Sequence, residues 1–88
     1  MTTAAVPAEI TVDTAPQALD AVRAAVRAAG GGVLDLAALR HFDSAAVAVL
    51  VSLRREAGNG VAFRNVPPNL RKLASLYGVE AALFGPSA

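Results

Sequence analysis

Asp43 and Ser44 are the residues whose type and position suit them to chemistry: a carboxylate followed by a hydroxyl, where a polar corner gives way to the helical run AAVAVLVSLRREA. At a helix start the first amide N–H groups lack intrahelical partners and the dipole is positive. An anion is favoured there, as a phosphate on the Ser44 hydroxyl or as a carboxylate brought by a partner. Phosphorylation would add nearly two negative charges beside Asp43, a physically sensible switch. The plainer role is a cap, in which Asp43 or Ser44 accepts a first-turn amide and contributes about 1 kcal/mol.

No wider reaction centre gathers around this pair. The chain has no cysteine and one histidine, His41. Disulfides, thiolate metal sites and His-based metal or catalytic clusters are therefore not expected. His41 reads as an exposed or locally bonded corner residue, because no second catalytic partner accompanies it. Gly30-Gly31-Gly32 is not followed by the Lys-Ser/Thr of a phosphate loop and precedes a strand, so it serves as a helix end and tight connection. With no acid, base and nucleophile converging, the expectation is a protein that is not an enzyme and holds neither cofactor nor metal.

The chain has 88 residues, 55% hydrophobic and 17% charged, with a formal net charge of +1. That is one small domain, too apolar for disorder and apolar enough to suggest a partner surface. The scattered charges argue against nucleic-acid binding, which needs a basic stripe. The longest apolar run, Ala45 to Val51, is too short to span a bilayer, and the N-terminus lacks the features of a signal peptide. A cytoplasmic location without direct membrane insertion is expected.

The elements that must position Asp43-Ser44 follow from periodicity. Residues 1–7 read as a flexible leader, 8–84 as the domain and 85–88 as a tail. Glu9 to Val12 is a brief β-prone run, and Asp13-Thr14 before Ala15-Pro16 opens a helix with Leu19, Val22, Val26 and Ala29 on one face. Val33 to Ala37 has the near-continuous apolarity of a strand covered on both faces, and Arg40-His41-Phe42 forms the corner. The second helix is expected over Ser44 to Ala57, stopped by Gly58. At about 100° per residue, Ala46, Leu50, Leu53 and Ala57 face the core. Ser44, Ala48, Ser52 and Arg55 lie opposite, flanked by Ala45, Val49 and Val51. That outer face is smooth and weakly polar, either a docking surface or simply an alanine-rich helix face. Val61 to Asn65 reads as a strand, Leu70, Leu73, Ala74 and Tyr77 as the stripe of a third helix, and Val79 to Phe84 as a last covering segment. Alternating strands and helices in so short a chain predict an α/β fold with mainly parallel or mixed pairing.

LDLAALRHFDSAAVAVLVSL resembles the core signature of STAS domains, in which an Asp-Leu strand end is followed some eight residues later by Asp-Ser or Asp-Thr opening a helix. GNGVAFRNVPPNLRKLASLYGVEAAL resembles that family's next strand and helix, so the resemblance covers roughly residues 30 to 84. It implies the anti-sigma-factor-antagonist-like fold and two functions. One is that of the MlaB-type subunit of the Mla phospholipid ABC transporter, whose matching residue lies where it docks on the ATPase subunit. The other is an anti-sigma factor antagonist, in which the residue matching Ser44 is phosphorylated by an anti-sigma factor kinase. LASLYGV, Leu73 to Val79, is more similar to the transporter subunit. Ala46 replaces the family's Gly two residues after the Ser, which weakens the phosphoswitch, and Ala37 replaces the Ser that commonly follows Asp-Leu. The family's N-terminal hairpin is shortened, with only Glu9 to Val12 evident. The expected docking residues are Asp43, Ser44, Ala45, Ala48, Ser52 and Arg55, with Ser44 the possible phosphorylation site.

Overall fold

Two stretches of chain pair with each other twice. In the computed structural model, which describes residues 3–28, 30 and 32–85, strand β1 (Thr3–Ala5) runs parallel to β3 (Gly32–Asp35), and β2 (Glu9–Ile10) runs parallel to β4 (His41–Phe42). Pro7, which has no N–H to donate, and the turn at Ala37-Ala38 interrupt the two stretches at about the same level. The amides of Arg40 and His41 both donate to the Ala8 carbonyl, at 2.9 and 3.0 Å, and resume the pairing. Strand β5 (Val61–Arg64) lies parallel to β3 on its other side, giving the order β1-β3-β5.

Parallel neighbours require crossovers, and helices α1 (Ala15–Ala28) and α2 (Ser44–Ala57) supply them. Both crossovers step in the same direction across the sheet, so with the usual right-handed connection they share a face, where they pack together. Helix α3 (Pro68–Leu76) packs on α2, and the short α4 (Glu80–Phe84) covers β5. Ile10, Val22, Leu34, Leu36, Leu50, Val61 and Leu70 are the largest fully buried side chains. Val33 and Leu34 point to opposite sides of β3 and are both buried, so that strand is covered on both faces.

The α/β class with parallel pairing is as expected, and α2 has the expected bounds. Several local expectations are corrected. From Thr3 the predicted leader is a strand, with Ala4 and Val6 buried; Ala4 is held by its ladder to Leu34. The N-terminal region, short as foreseen, thus contributes two strands where one was evident. The corner at residues 40–42 is partly strand β4, because Glu9–Ile10 pairs with it. Val12 leaves the β-prone run and stands 73% exposed. Val49, placed beside the outer face of α2, is buried, because α1 covers that flank. Tyr77, assigned to the core stripe of the third helix, is the C-cap of α3 and 59% exposed. Ala29, Gly31 and residues 86–88 of the predicted tail lie outside the described residues, as do Met1 and Thr2.

Two arginines tie the layers. Arg54 donates to the carbonyls of Gly58, Val61 and Leu83 at 2.5, 2.6 and 2.8 Å and stacks 5.0 Å from the Phe63 ring centroid. It thereby closes the end of α2, where Gly58 turns with φ 56°, and fastens α4 to it. Arg23 on α1 grips Glu56 on α2 through both carboxylate oxygens, Nε to Oε1 at 2.8 Å and Nη2 to Oε2 at 2.7 Å.

The hydrogen bonds from Arg23 hold the Glu56 carboxyl below its ordinary range. A carboxyl whose pKa falls on folding stabilises the fold above the unfolded value, and that contribution disappears as pH falls through the folded one. Glu56→Gln is therefore expected to flatten the acid limb of a urea-midpoint-against-pH curve while lowering its neutral plateau. Deleting residues 1–6 is expected to cost at least about 2 kcal/mol from the Val6 side chain alone, measured by urea unfolding, whereas loss of a mere leader would change nothing.

Candidate functional site: the opening of α2 and its outer face

Asp43 is committed inward. Its backbone is extended (φ −127°, ψ −163°), and its Oδ1 accepts the Ala45 amide at 2.8 Å while its main-chain carbonyl accepts Ala46 N at 3.0 Å. Its Oδ2 accepts the amide of Val12 at 3.1 Å, from the connection between β2 and α1. A single carboxylate thus caps α2 and anchors the neighbouring loop. The anion expected at this helix start is the chain's own, and of the two candidates for the cap it is Asp43 that fills it. Both oxygens of the Asp43 carboxylate are therefore engaged within the fold.

Ser44, the first residue of α2, is exposed, and its hydroxyl makes no hydrogen bond among the described residues. Ala48 and Arg55 are also exposed, and Ala45 and Ser52 are half-buried. Arg55 forms no ion pair among the described residues. The predicted outer face is therefore brought together, with Ala48 and Ser52 along its ridge. A groove of about 430 Å³ runs on the α3 side, with Ser44, Val51, Arg55, Tyr77 and Val79 in its walls. A second, of about 390 Å³ and almost wholly apolar, runs on the α1 side between Val12, Pro16 and Leu19 and the α2 residues Ala45, Ala48 and Ser52.

Val12 and Tyr77 are the large exposed contributors that sequence reasoning missed, beside wall residues such as Pro16, Leu19 and Val79. Each breaks a pattern that assigned it elsewhere: Val12 ends a β-prone run just before Asp13, and Tyr77 occupies a core-spaced position just before Gly78, which turns with φ 73°. For Tyr77 the available signal is its place as the last residue before a helix-stopping glycine; Val12 carries no such signal. Thr14 also puts a hydroxyl at a helix start, but its Oγ1 turns back to accept the Thr11 amide at 2.9 Å.

Among the described residues no catalytic constellation forms on this face. His41 is exposed and its nearest carboxylate is Glu9, 4.0 Å away. No group of His, Asp and Glu suited to a metal occurs among the described residues. At the ends of β3 and β5, Asp35 accepts Ala37 N at 2.8 Å and Asn65 Nδ2 at 3.1 Å, which holds its carboxyl below the ordinary range; this is a structural corner.

The family model described as "Mlab, STAS domain" matches residues 4–85. Neither a curated protein nor a solved structure matches the chain.

Asp43→Ala removes the acceptor for two amides and is expected to lower stability by about 1 to 2 kcal/mol in urea unfolding, while Ser44→Ala should change it by less than about 0.5 kcal/mol.

Proposed function

The chain belongs to the MlaB-type STAS-domain family, and from that premise we propose that it docks on the nucleotide-binding subunit of a phospholipid ABC transporter through the outer face of α2. STAS domains are generally non-enzymatic accessory or regulatory domains, and this chain has that accessory or regulatory character.

One observation carries the reading. The outer face of α2 is flanked by grooves on both sides, and the rims bear the exposed apolar side chains of Val12 and Tyr77. An exposed apolar surface with a polar edge has the composition of a protein interface. Ala45, Ala48 and Ser52 let a partner backbone or helix come close, and they lose little side-chain entropy on burial. Val12 and Tyr77 supply the larger anchors, and Arg55 and Ser44 the polar rim. Among the described residues no helix is long and apolar enough to cross a membrane. The domain would then sit at the cytoplasmic face of the bilayer, held there by the transporter.

Ser44→Arg places a long charged side chain at the mouth of the α3-side groove. It is expected to leave the circular dichroism spectrum and melting temperature unchanged and to abolish co-purification with the co-expressed nucleotide-binding subunit. An undiminished yield of complex would refute the docking face.

The exposed, unbonded hydroxyl of Ser44 also supports a second reading, an anti-sigma factor antagonist switched by phosphorylation. A phosphate there would stand beside the Asp43 carboxylate, a like-charge cost that the helix N-terminus only partly offsets. That reading requires Ser44 to gain the mass of one phosphate when the chain is incubated with an anti-sigma factor kinase and ATP. An unshifted mass would dispose of it.

A further inference from the structure

A third groove, of about 430 Å³, lies between β4 and α3, and it shares no lining residue with either groove beside α2. Its walls carry Arg40, His41 and Lys72, and its apolar lining is Phe42, Leu73 and Leu76. We propose that this groove binds an acidic segment of a protein partner, with one aliphatic side chain against Phe42, Leu73 and Leu76 and flanking carboxylates on Arg40 and Lys72.

Charge bookkeeping within the fold motivates this. Arg23 is spent on Glu56 and Asp20, Arg71 on Glu80, and Arg54 on three carbonyls. Arg40 and Lys72, like Arg27, Arg55 and Arg64, have no ion pair and no side-chain hydrogen bond among the described residues, but these two line one concavity together. The acidic atom nearest the basic wall is Glu9 Oε2, 4.0 Å from His41 Nε2 and outside the groove lining. The lining thus has cations, apolar surface and no carboxylate.

Leu76 adds the second half of the argument. It is 81% exposed on the last turn of α3, beside these cations. An isolated exposed leucine is ordinary, but one at the lip of a groove containing Phe42 and Leu73 extends an apolar surface that a partner side chain would cover. Concavity favours a protein segment over a bilayer. A membrane surface receives protruding apolar groups, and two free cations would hold it weakly. A peptide carboxylate set between them gains from both while its aliphatic neighbour leaves water.

The test is a titration of the ¹⁵N-labelled full chain with an acetylated, amidated Glu-Glu-Leu-Glu-Glu peptide, followed by amide chemical shifts. Perturbations are expected at His41, Phe42, Leu73 and Leu76, with the amides of Ala48 and Ser52 unmoved, and they should shrink as salt rises. The double variant Arg40→Glu, Lys72→Glu should bind at least about tenfold more weakly at an unchanged melting temperature. The same peptide with glutamine for glutamate should not bind. Absence of groove perturbations, or equal affinity in the double variant, would overturn the proposal. So would a peptide-silent groove combined with binding to phosphatidylserine vesicles that the double variant abolishes, which would assign it to a membrane. Because Ser44 is not among the lining residues, loss of transporter-subunit binding in Ser44→Arg and loss of peptide binding in the double variant are separable results.

Discussion

The Asp43 carboxylate is the joint on which the candidate site depends. Its two oxygens receive amides from different elements, Ala45 in α2 and Val12 in the loop that leads to α1. Without it the first turn of α2 would lack its cap, and the β2–α1 loop would lose the hydrogen bond that holds Val12 at the edge of the groove. The cap also sets the electrostatics. The positive end of the helix is answered by a charge already built into the chain, which leaves Ser44 as a neutral, exposed hydroxyl and lowers the demand for an external anion.

Around that joint the charges are arranged by face. The bidentate Arg23–Glu56 pair bridges α1 and α2, and the Arg71–Glu80 pair bridges α3 and α4. Arg54 ties the end of α2 to β5 and α4 by way of backbone carbonyls. These contacts join elements to one another and are satisfied within the fold. The ridge from Ser44 through Ala48 to Ser52 has no such contact, and the charged residue beside it, Arg55, is unpaired among the described residues. The polar groups that hold the domain together are thus largely absent from that ridge.

The legibility of each element in the sequence tracked how local its cause is. Helix α2 was readable to its ends because an Asp in front and a Gly behind are local stop signals, and β5 because VAFR alternates. Strand β1 was not, because Thr-Ala-Ala has little β propensity of its own and becomes strand only through its ladder to Val33, Leu34 and Asp35. The two-residue β4 was hidden for the same reason. Within α2, the four-residue core stripe was too narrow. At about 100° per residue the buried arc from Val49 to Val47 spans roughly 160°, because α1, α3 and α4 all pack against this helix. At the site, the choice of Ser44, Ala48, Ser52 and Arg55 as one face needed only helical periodicity. Val12 and Tyr77 needed the tertiary fold, since both come from other segments.

A wide buried arc on α2 constrains what its remaining surface can be. Burying Ala46, Val47, Val49, Leu50 and Leu53 against neighbours leaves a strip bounded by Val51 on one side and Ala45 on the other. Long charged side chains on that strip would cover the grooves beside it with their own aliphatic stems, as exposed helices commonly do. Alanine and serine leave both grooves open and the backbone approachable. The cost is that Val12 and Tyr77 remain in water, an unfavourable arrangement for a domain with so small a core. An apolar surface kept exposed at the expense of stability is better explained by what it meets than by the fold itself, since the helix would form as readily with lysine and glutamate at positions 48 and 52. The identity of those two small residues, more than the Ser44 hydroxyl, is therefore the sequence feature that argues for a docking face.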